Sequence, residues 1–599
     1  MTDRTRQRCI LLALTGIAAV VFFTGIGWGL PSRAADRYLF GAVRPWSGEE
    51  ILQLAGDRTA DPSRGADVAL HPIADRTHTV VLNETDRQRA EIVRRYRLYT
   101  YQPDEASTLM SLAGMNPRAG NFDPKLYQYG GLYIYPVGAA LKLASLSGLI
   151  DLKSNVAYYL DHPDAFGRFY VVARITVALW GIAGVWVVFG LTKRLTHGMI
   201  FPALAGLGYV FMPVVVNMSH EAKPHLPGAV LMLLTVGVAE AYVRTGHRKW
   251  AILAGAVAGA AMGMVISSLL AFAILPVMTM LRRQTWRQRI LLTLLAVGTG
   301  IAVYFLTNPY VAINLVRNRA VLRSNLGNTT NMYHVGGWIG GLQNGFSLLA
   351  EGASPGVLVG GWIALTAWVV GYRNSRIRSA GLNAAPNDGG RTIALLLAVP
   401  AGLQCIQFMA LAAGKPGEYG RFAIFLDVTL WMATMAGLAR LANGFRHHRI
   451  AVIAGAALVG SIGMFGGRYL AGFVRDCRPL TSRLIAAAKI RADLDAGARS
   501  IALWAEPAPY SFPPVDLFKY RLLLVPPDTH IRIAESPGDL SIPRTDAPVF
   551  PIELSGPQIA AATIPARSFS IPAISWADRS FCILRGFRDG TSSPPPPAE

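Results

Sequence analysis

Charge is scarce in this chain, and acidic charge is scarcest. Of 599 residues only 16% are Asp, Glu, Lys or Arg, and 36 acids stand against 57 bases. With 52% hydrophobic residues and a mean hydropathy of +0.34, the chain is too apolar for a soluble protein of this size. Cysteine is rare: four residues in all. Cys9 and Cys405 fall in apolar runs, where a thiol is an ordinary small filler. Cys477 and Cys582 fall near the C-terminus and could pair there if the compartment is oxidising. No internal repeat is evident, which argues against the repeat-built transporters. No Gly-rich phosphate loop of the nucleotide-binding kind occurs either.

What is present is apolar length. Runs of roughly twenty apolar residues are the mark of membrane helices, because backbone polar groups in lipid must be satisfied within the segment. The expectation is about eleven such helices, at 9–30, 168–191, 199–218, 226–243, 250–266, 267–281, 288–308, 354–372, 392–412, 422–441 and 449–467. The stretch 250–281 is divided at Ile266-Ser267-Ser268 because it is too long for one crossing at ~1.5 Å per residue. The segment 131–149 is read as a juxtamembrane element. Leaving it out of the crossings puts Lys193/Arg194, Arg244/Arg248/Lys249, Arg282/Arg283/Arg287/Arg289, Arg373/Arg376/Arg378/Arg391 and Arg440/Arg446/Arg449 on the same side as Arg4, Arg6 and Arg8, as the positive-inside rule asks. The net charge of +21 then sits largely in short cytoplasmic loops facing anionic lipid. Basic residues so scattered are a poor nucleic-acid surface. Pro31-Ser32-Arg33-Ala34-Ala35 after the first run imitates a signal-peptide cleavage site, but the long apolar core reads as an uncleaved anchor.

This topology gives a transmembrane domain over 1–470, a large extracytoplasmic loop over 31–167, a small extracytoplasmic α/β domain over 471–590 and a disordered tail over 591–599. The α/β reading rests on an Ala-rich helix from Leu484 to Ala498, followed by strand-like runs at 500–505 and 520–525. The Pro-rich end, Pro594 to Pro597, is a solvated tail by composition.

Chemistry concentrates at four places, all on the expected outward side. The first is Tyr101-Gln102-Pro103-Asp104-Glu105-Ala106, followed by Phe122-Asp123-Pro124-Lys125-Leu126-Tyr127-Gln128-Tyr129. Two adjacent carboxylates there could serve as a base, although Pro103-Asp104-Glu105 also reads as an ordinary helix start. Lys125, Tyr127 and Tyr129 add a cation and stacking surfaces. The second is Asn217-Met218-Ser219-His220-Glu221-Ala222-Lys223-Pro224-His225. Its ionisable groups between long apolar runs need partners; a plain solvated turn is the alternative. His220, Glu221 and His225 could in principle bind Zn²⁺, but their spacing matches no metal motif. The third is Gly414-Lys415-Pro416-Gly417-Glu418-Tyr419-Gly420-Arg421-Phe422, cations at a helix start and so a natural phosphate site or a pair of interfacial anchors. The fourth is Asn308-Pro309-Tyr310 with Arg317, Arg319 and Arg323, whose position against the charge rule suggests an anionic headgroup. Arg174 is the clearest charge inside a transmembrane run and should face an inward partner.

In order and sidedness these motifs resemble the GT-C superfamily of membrane glycosyltransferases, in particular bacterial relatives of protein O-mannosyltransferases and of the lipid A aminoarabinose transferases. Asp104 or Glu105 matches the family's first-loop acid, Phe122 to Tyr127 its aromatic/Pro segment with a basic residue, Arg174 its early helix Arg, and Arg421-Phe422 its late Arg-aromatic pair. The chain departs from the pattern where the second acid is usually Asp, with Glu221 shifted and His225 near that place, and where the usual Arg-Tyr is Arg-Phe. The resemblance implies a GT-C-like polytopic α-helical membrane protein in the bacterial inner or plasma membrane, with its N-terminus cytoplasmic. It implies a polyprenyl-phosphate sugar as donor, a lipid, glycan or protein as acceptor, and inversion at the anomeric carbon. Asp104, then Glu105, would be the base, with Glu221 supporting. Lys125, Arg421 and Lys415 would neutralise the lipid phosphate, and Tyr127, Tyr129, Arg174, His220, Lys223, His225 and Tyr419 would border the substrates. A divalent metal is compatible with that chemistry but not required by it. The rival readings are a lipid-linked glycan transporter or flippase and a non-catalytic envelope assembly subunit.

Overall fold

The computed structural model describes the chain apart from residues 1, 57–79, 197, 333–337, 379–388, 413–416, 445–447, 495–499, 504–506, 511, 525–550, 555–561, 565–575, 579–580 and 586–599. The tail, Lys415 and the helix extension to Ala498 lie outside the described residues. The chain divides into two compact units. The first takes Met1–Ile26, Ser107–Leu143 and Val172–Ala471; the second takes Gly27–Ala106, Ala144–Val171 and Gly472–Glu599.

The first unit is helical, and its helices form where the apolar runs lie. Among the described residues seven helices are long and apolar enough to cross a membrane, or up to nine if each of two bent pairs is one span. His225–Thr245, Trp286–Thr307, Gly389–Ala412 and Ile424–Gly444 lie where the sequence placed them, while the first helix, expected over 9–30, is Asp3–Phe23 and ends seven residues earlier (30 − 23). The outward faces are apolar: Leu291, Leu294, Leu295, Ile301 and Leu306 of Trp286–Thr307 are all exposed. A surface of that kind needs lipid around it, and the chain is an integral membrane protein.

Three of the expected crossings are not straight helices. The 199–218 run is Ile200–Phe211 and Pro213–Ser219, bent by 55°. Met212 precedes Pro213 and takes φ −60°, ψ 125°, the extended state that a following proline favours. The 250–281 run ends its first helix at Met264, is extended at Val265 (φ −155°), and resumes as a 3-10 helix Ile266–Ala273 and a helix Ile274–Leu281. There the break is filled from elsewhere: Gly130 N–H donates to the Met264 carbonyl and Ile266 N–H to the Gln128 carbonyl. These sixteen residues, half of them 3-10 helix, are too short to be counted as a span. The 354–372 run continues from an unforeseen helix, Trp338–Ala353, across a 105° turn at Ser354, whose φ is +110° and whose next residue is Pro355. The segment 131–149 forms the helix Gly131–Leu146, also too short to be counted as a span.

Small residues set the tightest packing. Gly255 and Gly259 of Arg248–Met264 lie so close to the carbonyls of Ala296 and Gly300 of Trp286–Thr307 that a Cβ at either would overlap them. This is the close approach that small residues permit between helices in lipid. Deep in the unit the fully buried Trp431 indole donates to the Ala205 carbonyl at 2.9 Å.

The second unit carries a six-stranded sheet in the order β1-β3-β2-β4-β6-β5. Its strands are β1 Val80–Val81, β2 Ser500–Leu503, β3 Arg521–Leu524, β4 Pro551–Leu554, β5 Ala562–Ile564 and β6 Phe581–Arg585. The β2–β3 and β4–β6 pairs are parallel and the others antiparallel. The helix Ser482–Leu494 and strands β2 and β3 lie where the sequence placed them, but β1 comes from the first loop. Asn83, buried beside β1, fixes that register: its amide nitrogen donates to the carbonyls of Leu517 and Tyr520, and its oxygen accepts from Leu522 N–H. A buried ion pair, Arg97 to Asp36, ties the loop's helices together. Cys477 is exposed; the side chain of Cys582 lies outside the described residues, and with it the expected pairing.

Candidate functional site

The first unit assembles a buried polar and aromatic cluster at the ends of its apolar helices. Pro213–Ser219 ends at His220, and the chain turns through Glu221, Ala222 and Lys223 before His225 starts the next helix. Lys223 Nζ lies 3.2 Å from Glu221 Oε2, each side chain 1% exposed. Asn217 Nδ2 donates to the other Glu221 oxygen, and Lys223 N–H folds back to the Glu221 carbonyl at 2.8 Å. Two charges this deep persist only as a pair with hydrogen-bonded surroundings.

Aromatic rings stand beside this turn. His225 meets Tyr129 edge to face with centroids 5.9 Å apart, and Phe422 in the same way at 5.1 Å. Tyr133, in the first turn of the helix Gly131–Leu146, packs on Tyr129 at 6.1 Å. The Arg421 guanidinium lies 5.1 Å from the Phe422 ring and is 5% exposed, while Gln404 Nε2 holds the Phe422 carbonyl at 2.7 Å. Three separate motifs of the sequence, Tyr129, the 221–225 turn and Arg421-Phe422, thus converge. The backbone of Tyr419 belongs to the 3-10 turn Gly417–Ala423 with Arg421.

Other expected site residues take structural posts. Arg174 donates to the Ile26 carbonyl at 2.8 Å, and the His220 ring nitrogens lie 2.8 Å from the Thr24 carbonyl and 2.7 Å from that of Val216. Both side chains therefore hold carbonyls at the end of Asp3–Phe23, where donors are wanted. With His220 so engaged and Glu221 on Lys223, the Zn²⁺ set does not assemble. Among the described residues no three His, Cys, Asp or Glu side chains group to hold a metal ion.

Lys125 and Tyr127 belong to a second polar knot in the same unit. The Asp123 carboxylate accepts from Lys125 N–H at 3.0 Å, from the Tyr127 hydroxyl at 2.8 Å and from Asn314 Nδ2 at 2.7 Å. Asn325 closes it, accepting from Tyr127 N–H and donating to the Lys125 carbonyl. Burial and the Asp123 carboxylate keep the Tyr127 phenol well above its ordinary range. Lys125 sits at φ +52°, a left-handed conformation held by these bonds at a residue other than glycine.

Asp104 and Glu105 lie in the second unit. The segment before them is anchored: Tyr101 N–H donates to Gly29, the Tyr101 hydroxyl bonds Thr481, and the Arg483 guanidinium lies 4.4 Å over the Tyr101 ring. Gln102 Oε1 accepts from the N–H groups of Asp104 (2.6 Å) and Glu105 (3.2 Å), capping the helix Glu105–Ala113. Glu105 is fully buried and accepts from the Thr100 hydroxyl at 2.7 Å. Asp104 is the more exposed of the two.

Two residues carry weight that the sequence reading gave them no part in. Tyr133 lies in the helix Gly131–Leu146, whereas Tyr129 stands before that helix in a bridge to Val265, so helical spacing gave no signal for their contact. Asp427, an acid within the apolar run 422–441, is buried, and among the described residues neither carboxyl oxygen has a hydrogen-bond partner. Its Oδ2 lies close enough to Gly352 that a Cβ there would come within 2.7 Å.

No protein-family model matches the chain, and no curated protein matches it in sequence. Solved structures similar to it include the Archaeoglobus fulgidus oligosaccharyltransferase with Zn and sulfate, at 12% identity and a TM-score of 0.36, covering 57% of this chain and 44% of that one. Another is ArnT from Cupriavidus metallidurans bound to undecaprenyl phosphate, at 16% identity and a TM-score of 0.39, covering 68% and 71%. A third is the archaeal oligosaccharyltransferase AglB from A. fulgidus with an inhibitory peptide and a dolichol-phosphate, at 13% identity and a TM-score of 0.36, covering 72% and 56%. The chain spans less than half the length of the first of these. At such identities and TM-scores the likenesses establish neither the family nor the activity of this chain.

Proposed function

We propose that this chain is an integral-membrane glycosyltransferase that moves a sugar from a polyprenyl-phosphate donor to an acceptor hydroxyl on the extracytoplasmic side. The observation that carries this reading is the cluster in the first unit. Arg421 lies buried over the Phe422 ring, Phe422 meets His225 and His225 meets Tyr129, while a second buried cation, Lys223, is held by Glu221 in the turn that leads into His225. Cations out of water suit a phosphate leaving group, whose charge grows as the glycosidic bond breaks, and aromatic faces suit a sugar ring or an isoprenoid. The motif order that resembles the GT-C superfamily points the same way.

In this scheme the acceptor oxygen attacks the anomeric carbon as the bond to the phosphate oxygen breaks. The sugar inverts, and the polyprenyl phosphate leaves with the bonding electrons. The acceptor proton passes to a carboxylate. Asp104 is the first assignment for that base, since Glu105 is fully buried on Thr100. Glu221 holds Lys223 in place rather than reacting.

The test is transfer from radiolabelled polyprenyl-phosphate sugars in membranes containing wild type, Asp104→Asn or Glu105→Gln. Product with wild type and with Glu105→Gln, but not with Asp104→Asn, supports the scheme; equal product from all three removes the acidic pair from the chemistry.

A second reading, a transporter of lipid-linked glycans, is favoured by two bent helix pairs and by Asp427 buried at one of the bends. Broken helices and intramembrane acids are transporter features. Movement of a fluorescent lipid-linked sugar across proteoliposomes, without transfer to any acceptor, would establish it.

A further inference from the structure

The second unit contains a cavity of about 210 Å³ that the proposed transfer chemistry does not use. Its walls are the helix Asp36–Leu39 with the turn to Gly41, the face of Ser482–Leu494 that carries Ala487, Ile490 and Arg491, and residues 514–520. Arg37, Arg491 and Lys519 stand around it and are exposed to solvent, with the rings of Tyr38 and Tyr520 between them. The Arg37 guanidinium lies 4.7 Å over Tyr38, and the Lys519 ammonium 5.2 Å from Tyr520.

Two acids beside these cations have other partners. Asp36, next to Arg37 in sequence, is taken by Arg33 and Arg97. Asp516, the single carboxylate among the described lining residues, accepts from the N–H groups of Phe518 (2.9 Å) and Lys519 (3.0 Å) and so shapes the turn. That turn is fastened to the opposite wall by Leu517 N–H on the Leu39 carbonyl at 2.9 Å. The two walls meet at Gly41, at φ +55°, where a Cβ would overlap the Asp516 carboxylate. The cavity is therefore built by specific contacts, and among the described residues its lining has three cations against one acid.

We propose that this cavity binds a phosphate-bearing group about the size of one monosaccharide. Two guanidinium forks and an ammonium match the several oxygens of a phosphate dianion better than the two of a carboxylate. The volume is below the ~300–1,000 Å³ of pockets for drug-sized ligands, which excludes an extended chain and leaves room for one ring. Tyr38, Tyr520 and the apolar wall cover the uncharged body of such a ligand. Its source is a soluble sugar phosphate or the headgroup of an anionic lipid.

The experiment uses the full chain in nanodiscs of neutral lipid, with glucose 1-phosphate as the probe and glucose and glucuronate as controls in equilibrium dialysis. Saturable binding of glucose 1-phosphate is expected, with glucose not bound. Arg37→Gln with Arg491→Gln should weaken it about tenfold or more, the scale of losing charge-assisted hydrogen bonds. Both side chains are exposed, so the fold should survive. Ala487→Trp, which fills the cavity and leaves every cation in place, should abolish binding as well. Nanodiscs containing phosphatidylglycerol divide the sources: competition with glucose 1-phosphate identifies a lipid headgroup, and no competition a soluble ligand. The proposal is overturned if glucose 1-phosphate shows no saturable binding, if the double variant binds it as wild type does, or if glucuronate binds equally well.

Discussion

His225 and Phe422 meet edge to face with ring centroids 5.1 Å apart at 85°, one at the start of the helix His225–Thr245 and the other in the 3-10 turn Gly417–Ala423. That contact joins two motifs that lie 197 residues apart in the sequence (422 − 225). It brings Arg421, which lies over the same Phe422 ring, to the side of the bundle where Glu221 and Lys223 are paired.

Arg421 should therefore matter for turnover more than for folding. If it neutralises charge that grows on the leaving phosphate, Arg421→Gln should lower kcat by about 10²–10³-fold, the scale of losing one preorganised electrostatic contact. Arg421→Lys should recover only part, because an ammonium cannot reproduce the planar fork. Single-turnover transfer with a polyprenyl-phosphate sugar measures this. A rise in KM with kcat unchanged would mean that the residue binds donor and transition state equally.

The Glu221–Lys223 pair gives a stability prediction of the opposite character. With both side chains 1% exposed, removing one partner takes the ion-pair contact from the other charge where no solvent can replace it. Lys223→Met or Glu221→Gln alone should each destabilise the protein by about 3–5 kcal/mol, and the double variant should regain part of that loss. Thermal unfolding in detergent reads the coupling through a double-mutant cycle. If the double variant loses the sum of the two single losses, the two residues act independently and the pair is not the organising contact of the turn.

How much of this was legible in the sequence follows from the range of each signal. Apolar runs such as 288–308 and 392–412 became helices because a membrane span is a local demand on every residue in it. The bend at Pro213 had a local signal, proline, whose weight against a long apolar run is set only by packing. The break at Val265 falls beside the division expected at Ile266-Ser267-Ser268 from run length alone, but what fills it was not local: Gln128 and Gly130, far away in sequence, supply the backbone partners. The same distinction holds in the site. The Arg421-Phe422 motif and the 220–225 turn were visible as ionisable residues beside apolar runs. The structural posts of Arg174 and His220 on the carbonyls of Ile26 and Thr24 were not, since they depend on where the first helix ends in space. Lys125 and Tyr127 looked like substrate contacts by residue type, yet Asp123, Asn314 and Asn325 account for their local geometry.

Helix packing in the first unit should be intolerant of one methyl group at Gly259. A Cβ there would overlap the Gly300 carbonyl oxygen, so Gly259→Ala must push Arg248–Met264 away from Trp286–Thr307. The expected loss is about 1–3 kcal/mol, the usual cost of overpacking. Gly298, on the same partner helix, has open space where its Cβ would be. Gly298→Ala should be neutral or slightly stabilising through helix propensity. Comparing the two in one thermal-shift series separates packing from propensity; equal losses would mean that the close approach of the helices does not limit stability.

The second unit should carry a pH dependence from Asp578. Burial pushes this carboxyl up to about 6, and the nearby Asp476 carboxylate adds to the rise, against the Arg475 ion pair at 2.8 Å. A raised folded-state value means that the native state holds the proton more tightly than the unfolded chain, whose Asp titrates near ~3.9. The contribution to stability is thus complete below about pH 4 and is lost as pH rises through about 6. Asp578→Asn keeps the shape and removes the titration, so the variant's unfolding curve should lack this component between about pH 4 and 6. Carboxylates with depressed values, such as Glu50 at about 2 beside Arg44, act in the other direction and are lost only in stronger acid, so the two effects do not overlap. Hydrogen exchange at strand β6, just beyond Asp578, followed over that pH range in both proteins, isolates the effect from the membrane helices. An identical profile for wild type and Asp578→Asn would place the proton elsewhere in the network around Asp476.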